Sequence, residues 1–270
     1  KNENMLFKSN ISYHLYDCLN QKPNDFNRIE GFGEIENSPG LTDNQLNFFD
    51  ASVRLLYETD KINFYFGRSN PIWGPGVSSI FISDKSPKFL NIGYTIELSK
   101  KINYEHMYAS LNSQIEDSLY QSIYIDDDYY VFSELPRSIS AHRIEYKPYK
   151  NTTFGVVEII VYGGARRLEP YYLLPLLPFL PIQTYLGDID NDMLGFYFIH
   201  FHKTFKFYGS LLIDEWSPSY TFKDKNKNWG IYQLGFEKEK KTILCNDLFI
   251  LLMRKNVDDK NNKWYLNDIE

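Results

Sequence analysis

Apolar and polar residues alternate one by one through long segments of this chain, and a period of two marks strands with one apolar and one polar face. Phe7, Ile11, Tyr13 and Leu15 fall on one side, with Lys8, Asn10, Ser12 and His14 on the other. Phe49, Ala51, Val53, Leu55 and Tyr57 oppose Asp50, Ser52, Arg54 and Glu58, and only Leu56 breaks the polar row. The pattern returns in Ile92, Tyr94, Ile96 and Leu98 against Gly93, Thr95, Glu97 and Ser99. It appears again in Phe205, Phe207, Leu211 and Ile213 against Lys206, Tyr208, Ser210 and Asp214. Such rows are as long as tilted strands need to be to cross a bilayer. Residues 155–162 and 194–201 are instead apolar on both faces, which suits either a sandwich core or a wall that touches a plug.

Connection lengths form a second pattern. Very short, Lys-containing turns are expected at Asp60 to Lys61, Lys100 to Lys101, Pro148 to Thr152, Lys203 to Thr204 and Lys240 to Lys241. They alternate with long connections at 113–137, 163–192 and 215–229. An up-and-down meander with its tight turns at one end has this asymmetry, as outer-membrane barrels do. A Greek-key sandwich mixes the lengths at both ends. The expected fold is therefore all-β, an antiparallel up-and-down transmembrane β-barrel of about thirteen strands. Residues 1–270 are read as one barrel domain, with 163–192 as a long cap or plug.

Composition narrows the class. Tyr, Phe and Trp make up 17% of the residues while no apolar run is long enough for a transmembrane helix, which suits a membrane barrel or a glycan-binding sandwich. A net charge of -6 with no basic stripe argues against nucleic acid. Cys18 and Cys245 lie far apart, with no metal-type spacing and no basis for asserting a disulfide. The chain opens at Lys1 without a signal segment and closes in the polar stretch Trp264 to Glu270, where barrels of this kind end on an aromatic residue. An incomplete piece of a barrel is the expectation.

Five motifs occur in one order. The first is Gly67-Arg-Ser-Asn-Pro-Ile-Trp-Gly-Pro-Gly-Val-Ser-Ser-Ile-Phe-Ile-Ser-Asp84, and the second is Ala141-His-Arg-Ile-Glu-Tyr-Lys-Pro148. Tyr162-Gly-Gly164, Gly187-Asp-Ile-Asp-Asn-Asp192 and Leu211-Leu-Ile-Asp-Glu215 follow. Together they resemble the Wzi-like capsule-assembly family of bacterial outer-membrane β-barrels, over residues 63 to 215. The resemblance implies a lectin-like role without catalysis, in which the protein holds capsular or other exopolysaccharide at the surface of the bacterial outer membrane. Its partners would be that polysaccharide and outer-membrane lipid. The alternatives are a soluble glycan-binding β-sandwich and a passive barrel or envelope scaffold without sugar affinity.

Candidate residues follow from their setting. Pro71 and Pro75 fix φ and Gly74 and Gly76 admit left-handed dihedrals, so Trp73 is held on a rigid corner where its ring would stack on a sugar. Arg68 in the same segment and Arg166 and Arg167 in the 163–192 connection carry planar donor forks suited to acidic sugars. In the same connection Pro175, Pro178 and Pro181, three residues apart, argue against a regular helix. Arg54, Glu58, Glu97, Arg143, Glu145 and Asp214 sit on polar rows that face the lumen of a barrel, as a network that binds hydroxyls or stiffens the wall.

Metal and catalytic readings are weaker. Asp188, Asp190 and Asp192 have the spacing of half a calcium loop, but Met193 and Ile199 stand where its glycine and glutamate belong. His200 and His202 share a strand face without a third ligand. No metal or cofactor is expected, and no catalytic motif is found. Asp214 and Glu215, adjacent in one strand, would point to opposite faces and cannot flank one glycosidic bond.

Overall fold

A computed structural model describes residues 4–16, 46–76, 78–83, 86–111, 113, 115, 125–126, 129–130, 135–164, 166, 168–214, 229–238, 251–255 and 264–266. The strands are β1 (Asn4–Tyr16), β2 (Leu46–Glu58), β3 (Ile62–Ser69), β4 (Phe89–Ser99), β5 (Ile102–Leu111), β6 (Ile125–Asp126) and β7 (Tyr129–Tyr130). They continue with β8 (Arg137–Tyr149), β9 (Thr152–Gly163), β10 (Asn191–His202), β11 (Phe205–Asp214), β12 (Trp229–Lys238), β13 (Leu251–Lys255) and β14 (Trp264–Leu266). A 3₁₀ turn (Pro170–Leu173) and one α-helix, α1 (Phe179–Tyr185), lie between β9 and β10.

Twelve strands form one antiparallel sheet in the order β1-β2-β3-β4-β5-β8-β9-β10-β11-β12-β13-β14, while β6 and β7 pair with each other inside the β5–β8 connection. The up-and-down meander is as expected. The count of about thirteen is corrected to twelve in this sheet, and among the described residues β1 pairs only with β2 and β14 only with β13, so the sheet is open. The tight turns at 59–61, 100–101, 150–151 and 203–204 share one end, because successive connections of an antiparallel meander alternate ends. The turn expected at Lys240 to Lys241 falls outside the described residues.

Residues directly opposite in neighbouring strands share a face, so the pairing register sorts the side chains. One row runs Glu58, Asn63, Thr95, Glu105, Arg143, Val157, Gly195, Leu212. A second runs Glu97, Asn103, Glu145, Gly155, Tyr197, Ser210, Gln233. A third begins at Arg54 and Gly67, and a fourth runs from Leu56 through Tyr65, Gly93, Met107 and Ala141 to Met193 and Asp214. All six charges expected on one face are on it. The intervening rows carry Val53, Phe64, Phe66, Ile92, Ile144, Phe154, Phe196, Phe198, Phe207, Leu234 and Phe236, and all of these are exposed.

The polar face is the concave one. Gln233 of β12 donates from Nε2 to the carbonyl of Ser78, 2.8 Å away, in the β3–β4 connection. A flat sheet would separate β3 from β12, across β4, β5 and β8 to β11, by about 34 Å. The chain from Ser69 to Ser78 spans only ~30 Å when fully extended, and it contains the Trp73 corner. The sheet therefore curls around that corner, and the apolar rows lie outside.

The corner is packed against the concave wall. Trp73 and Ile82 share a core with Tyr65, Met107, Ala109, Ile139, Ala141, Val157, Ile159 and Tyr197, with Phe81 alongside. This covers one side of the doubly apolar segments in β9 and β10. Tyr65 lies across Gly93, Tyr197 across Gly155 and Tyr208 across Gly235, each ring over the glycine paired with it in the neighbouring strand. Gly195 admits Phe81 in the same way: a Cβ there would overlap the Phe81 ring. Gly195→Val should unseat the corner and destabilise the protein by about 1 to 3 kcal/mol. A lower urea midpoint for protein folded in detergent would show this, whereas an unchanged midpoint would mean that Phe81 moves aside freely.

Candidate functional site

Local geometry builds the corner as its sequence suggests. The Trp73 N–H donates to Ile82 O at 3.0 Å, and the Ser79 hydroxyl closes back on the Trp73 carbonyl. Gly74 and Gly76 take φ of 104° and 91°, dihedrals that a side chain would strain. Asn70 Nδ2 holds the Ser86 carbonyl at 2.6 Å. Trp73, however, is only 1% exposed, and the Arg143 guanidinium lies over its ring at 5.1 Å. The face expected to stack on a sugar is used inside the protein.

Arg143 is the centre of the concave network. Its Nε donates to Glu105 Oε2 at 2.8 Å, a second guanidinium nitrogen stands 2.6 Å from the same oxygen, and Glu145 is 3.8 Å from a third. Tyr65 donates to Glu105 Oε1 at 3.0 Å, Tyr197 donates to Glu145 Oε1 at 2.6 Å, and Lys147 pairs with Glu145 Oε2 at 3.1 Å. Arg54 joins through the Tyr65 ring, 5.4 Å away. Glu58 and Glu97 stand exposed toward the tight-turn end, and Asp214 lies on the same face at the other end of β11, with a buried Oδ1 that has no hydrogen-bond partner. The six expected charges thus share a face, but only Arg143 and Glu145 form the network directly. Glu105, Tyr65 and Tyr197 complete it from other strands and were for that reason not legible, and Lys147 adds a cation from two residues along the same strand as Glu145.

The candidate ligand arginines occupy different neighbourhoods. Arg68, 39% exposed, pairs with Asp50 at 3.5 Å and donates to the Ala51 carbonyl, while Lys88 also binds Asp50. Arg166 pairs with Asp190 and stands 3.7 Å from Glu169, with its guanidinium 5.9 Å from the Tyr162 ring. Burial alone would lower the Arg166 pKa, but the hydrogen bond and charge of Asp190 outweigh it and hold the group above its ordinary value. Arg167 lies outside the described residues. Arg68, Trp73 and Arg166 do not converge on one site.

The part of the 163–192 connection from Leu168 to Asp190 packs on the convex face. In β9, Val157, Ile159 and Val161 pack with the corner, whereas Ile160 and Tyr162, on the opposite side, pack with Tyr172, Phe179 and Ile182. This corrects the reading of the connection as a plug folded into the mouth. A helix does form: α1 starts after Pro178, and Pro181 falls in its first turn, where the missing N–H has no helical partner in any case. The wall supplies its cap, since Glu158 Oε1 accepts from the N–H groups of Phe179 at 2.8 Å and Leu180 at 3.2 Å. Glu158 Oε2 stands 2.7 Å from His142 Nε2, and the Phe179 ring covers His142 at 4.4 Å. His106 is buried beside them with neither ring nitrogen hydrogen-bonded.

Asp190, the middle acid of the Asp188, Asp190, Asp192 spacing, accepts from the Tyr172 hydroxyl at 2.7 Å besides pairing with Arg166. Burial first, then this bond to Asp190, raises the Tyr172 pKa well above its ordinary value and keeps the phenol a donor. His200 Nδ1 is 3.0 Å from the Thr152 hydroxyl.

Compared with protein-family models, with curated proteins and with solved structures, the chain matches none.

Arg143→Met should leave Glu105 and Glu145 without their shared cation and remove the cation over Trp73. A loss of about 2 to 4 kcal/mol is expected, toward the lower end of what breaking a buried pair costs because the network is partly open to water. Urea unfolding followed by tryptophan fluorescence measures it. Adding Glu105→Gln should restore part of the loss, since one unpaired carboxylate is then gone.

Proposed function

We propose that the protein is an outer-membrane β-barrel, or a large part of one, that binds or organises capsular or other exopolysaccharide at the cell surface without catalysing a reaction. The observation that carries the membrane half of this reading is the sidedness of the sheet. The convex face exposes Phe64, Phe66, Phe196, Phe198 and Phe236, while the concave face holds the Arg143 network and the packed corner. A water-soluble sheet has the opposite need, because its apolar face must be covered by a second layer. An apolar outside with a polar inside is the arrangement that hydrocarbon requires of a curled sheet.

The polysaccharide half rests on the order of the five motifs and on Arg68, which keeps part of its guanidinium open at the end of the long connections. One observation favours a second reading, a barrel that serves as an envelope scaffold without sugar affinity. Trp73 is buried and Arg143 is paired, so the corner leaves neither of them waiting for a ligand. A glycan-binding sandwich gains less support, since the described residues form one large sheet and one two-residue pair of strands.

Two measurements test these readings. The protein should leave bacterial envelopes only with detergent, and release by buffer alone would favour the sandwich. Arg68→Gln should reach the envelope in normal amount and weaken polysaccharide binding about tenfold, the loss of one charge-assisted hydrogen bond. Cells bearing it should shed polysaccharide into the medium. Retention equal to that of the unmodified protein would favour the scaffold.

A further inference from the structure

We infer that the outward surface of the connection from Leu168 to Asp190 is a lipid-contacting patch, seated among the acyl chains of the bilayer and not offered to a polar ligand. This rests on the membrane reading above. Along their middle the convex rows are apolar except where β5, β8, β9 and β10 place His106, His142, Glu158 and the buried Asp192 on them; Arg68, His200, His202 and Lys238 fall nearer the ends of these rows. Facing hydrocarbon, such groups would be left without solvation. The connection lies over this interruption. Phe179 covers both imidazoles, with ring centroids 4.4 Å from His142 and 6.5 Å from His106, and Glu158 is used up by His142 and the first turn of α1.

What the connection then presents outward is apolar apart from Asp188, whose exposed side chain stands at its end next to β10. Leu174, Leu176, Leu177, Tyr185 and Ile189 are exposed, the last two at 73% each. From Pro170 to Gly187 there is no Asp, Glu, Lys, Arg or His, in a chain that is 24% charged overall. A surface segment bathed in water seldom forgoes charge over such a length, and an exposed apolar patch of this kind marks a contact surface. The patch is continuous with the apolar rows below it, Ile144, Phe154 and Val156 in β8 and β9. Lipid is therefore the occupant to which it is matched.

Much of the backbone meets a stricter condition as well. Irregular chain is tolerated against lipid only when its polar groups are satisfied within the protein. Pro170, Pro175, Pro178 and Pro181 have no N–H to satisfy. Leu176 donates to the Tyr104 hydroxyl at 3.0 Å, and Phe179 and Leu180 donate to Glu158. Tyr172 donates to Glu169 O at 3.1 Å, Leu186 to Ile182 O at 2.9 Å and Asp188 to Gln183 O at 2.9 Å. The prolines and the wall acceptors together reduce the number of backbone polar groups that the loop turns outward.

Site-directed spin labelling tests the inference on the full chain reconstituted in phosphatidylcholine vesicles, with Cys18→Ser and Cys245→Ser to leave one reactive thiol. A nitroxide is attached at Leu177→Cys or Tyr185→Cys in the connection, at Phe198→Cys on the convex wall, or at Lys150→Cys in a tight turn. The labels at 177 and 185 should resemble the one at 198, colliding several-fold more with oxygen than with a water-soluble nickel chelate, relative to the label at 150. If the connection labels meet nickel while the label at 198 meets oxygen, the patch faces water and the inference fails with the membrane reading intact. If they are shielded from both reagents, a second copy or another protein covers the patch and the inference also fails. Nickel access at 198 would overturn the membrane reading itself, and this inference with it.

Discussion

The docking of the Trp73 corner on the concave wall is the contact on which the rest of the sheet's shape depends. The corner leaves the sheet at β3 and is held at β12, a span that its length does not allow across a flat sheet. Curvature is thus a condition of the contact. The wall is shaped to receive it: Ala109, Ala141 and Gly195 leave room where Trp73, Phe81 and Ile82 enter. Rigidity in the corner lowers the entropy lost on docking, because prolines at 71 and 75 restrict the free loop as well as the bound one.

Around that dry centre the charges are arranged in pairs. Arg143 binds two carboxylates and a tryptophan face at once, and two tyrosines complete the carboxylates' hydrogen bonding. An arginine suits this position better than a lysine, since its planar fork can donate in one plane while its face lies on an indole. Removing any one member would leave another unsatisfied in a poorly solvated place. The tyrosines that serve this network are also those that lie over Gly93 and Gly155, so the close ring-to-backbone packing and the hydrogen bonds orient the same side chains.

Outside, a second polar group is treated differently. His142 and Glu158 pair on the convex face, and the connection between β9 and β10 folds over them with Glu158 capping its helix. Wall and cover each complete the other: the carboxylate gains backbone donors, and the short helix gains acceptors that its own sequence does not provide, since Pro178 precedes it. Apart from Glu158, residues 155–162 are apolar on both faces for the same reason. The corner covers one of their faces, and Tyr172, Phe179 and Ile182 cover part of the other.

The alternation of residues 49–58 and 92–99 alone determined that these segments are strands and which side chains share a face, because the period of two is a property of the extended backbone. Tight turns at one end were legible for the same local reason. The rigidity of the Trp73 corner was legible in its prolines and glycines, but its destination was not, since nothing in residues 67–84 specifies contact with β8, β10 and β12. The partners of Arg143 and the burial of Trp73 depend on strands far apart in sequence. The outward placement of residues 168–190 was decided by tertiary structure too: a proline- and leucine-rich segment fits either face of a wall, and Glu158, His142 and Tyr104 supply the polar partners that fix it to the convex one.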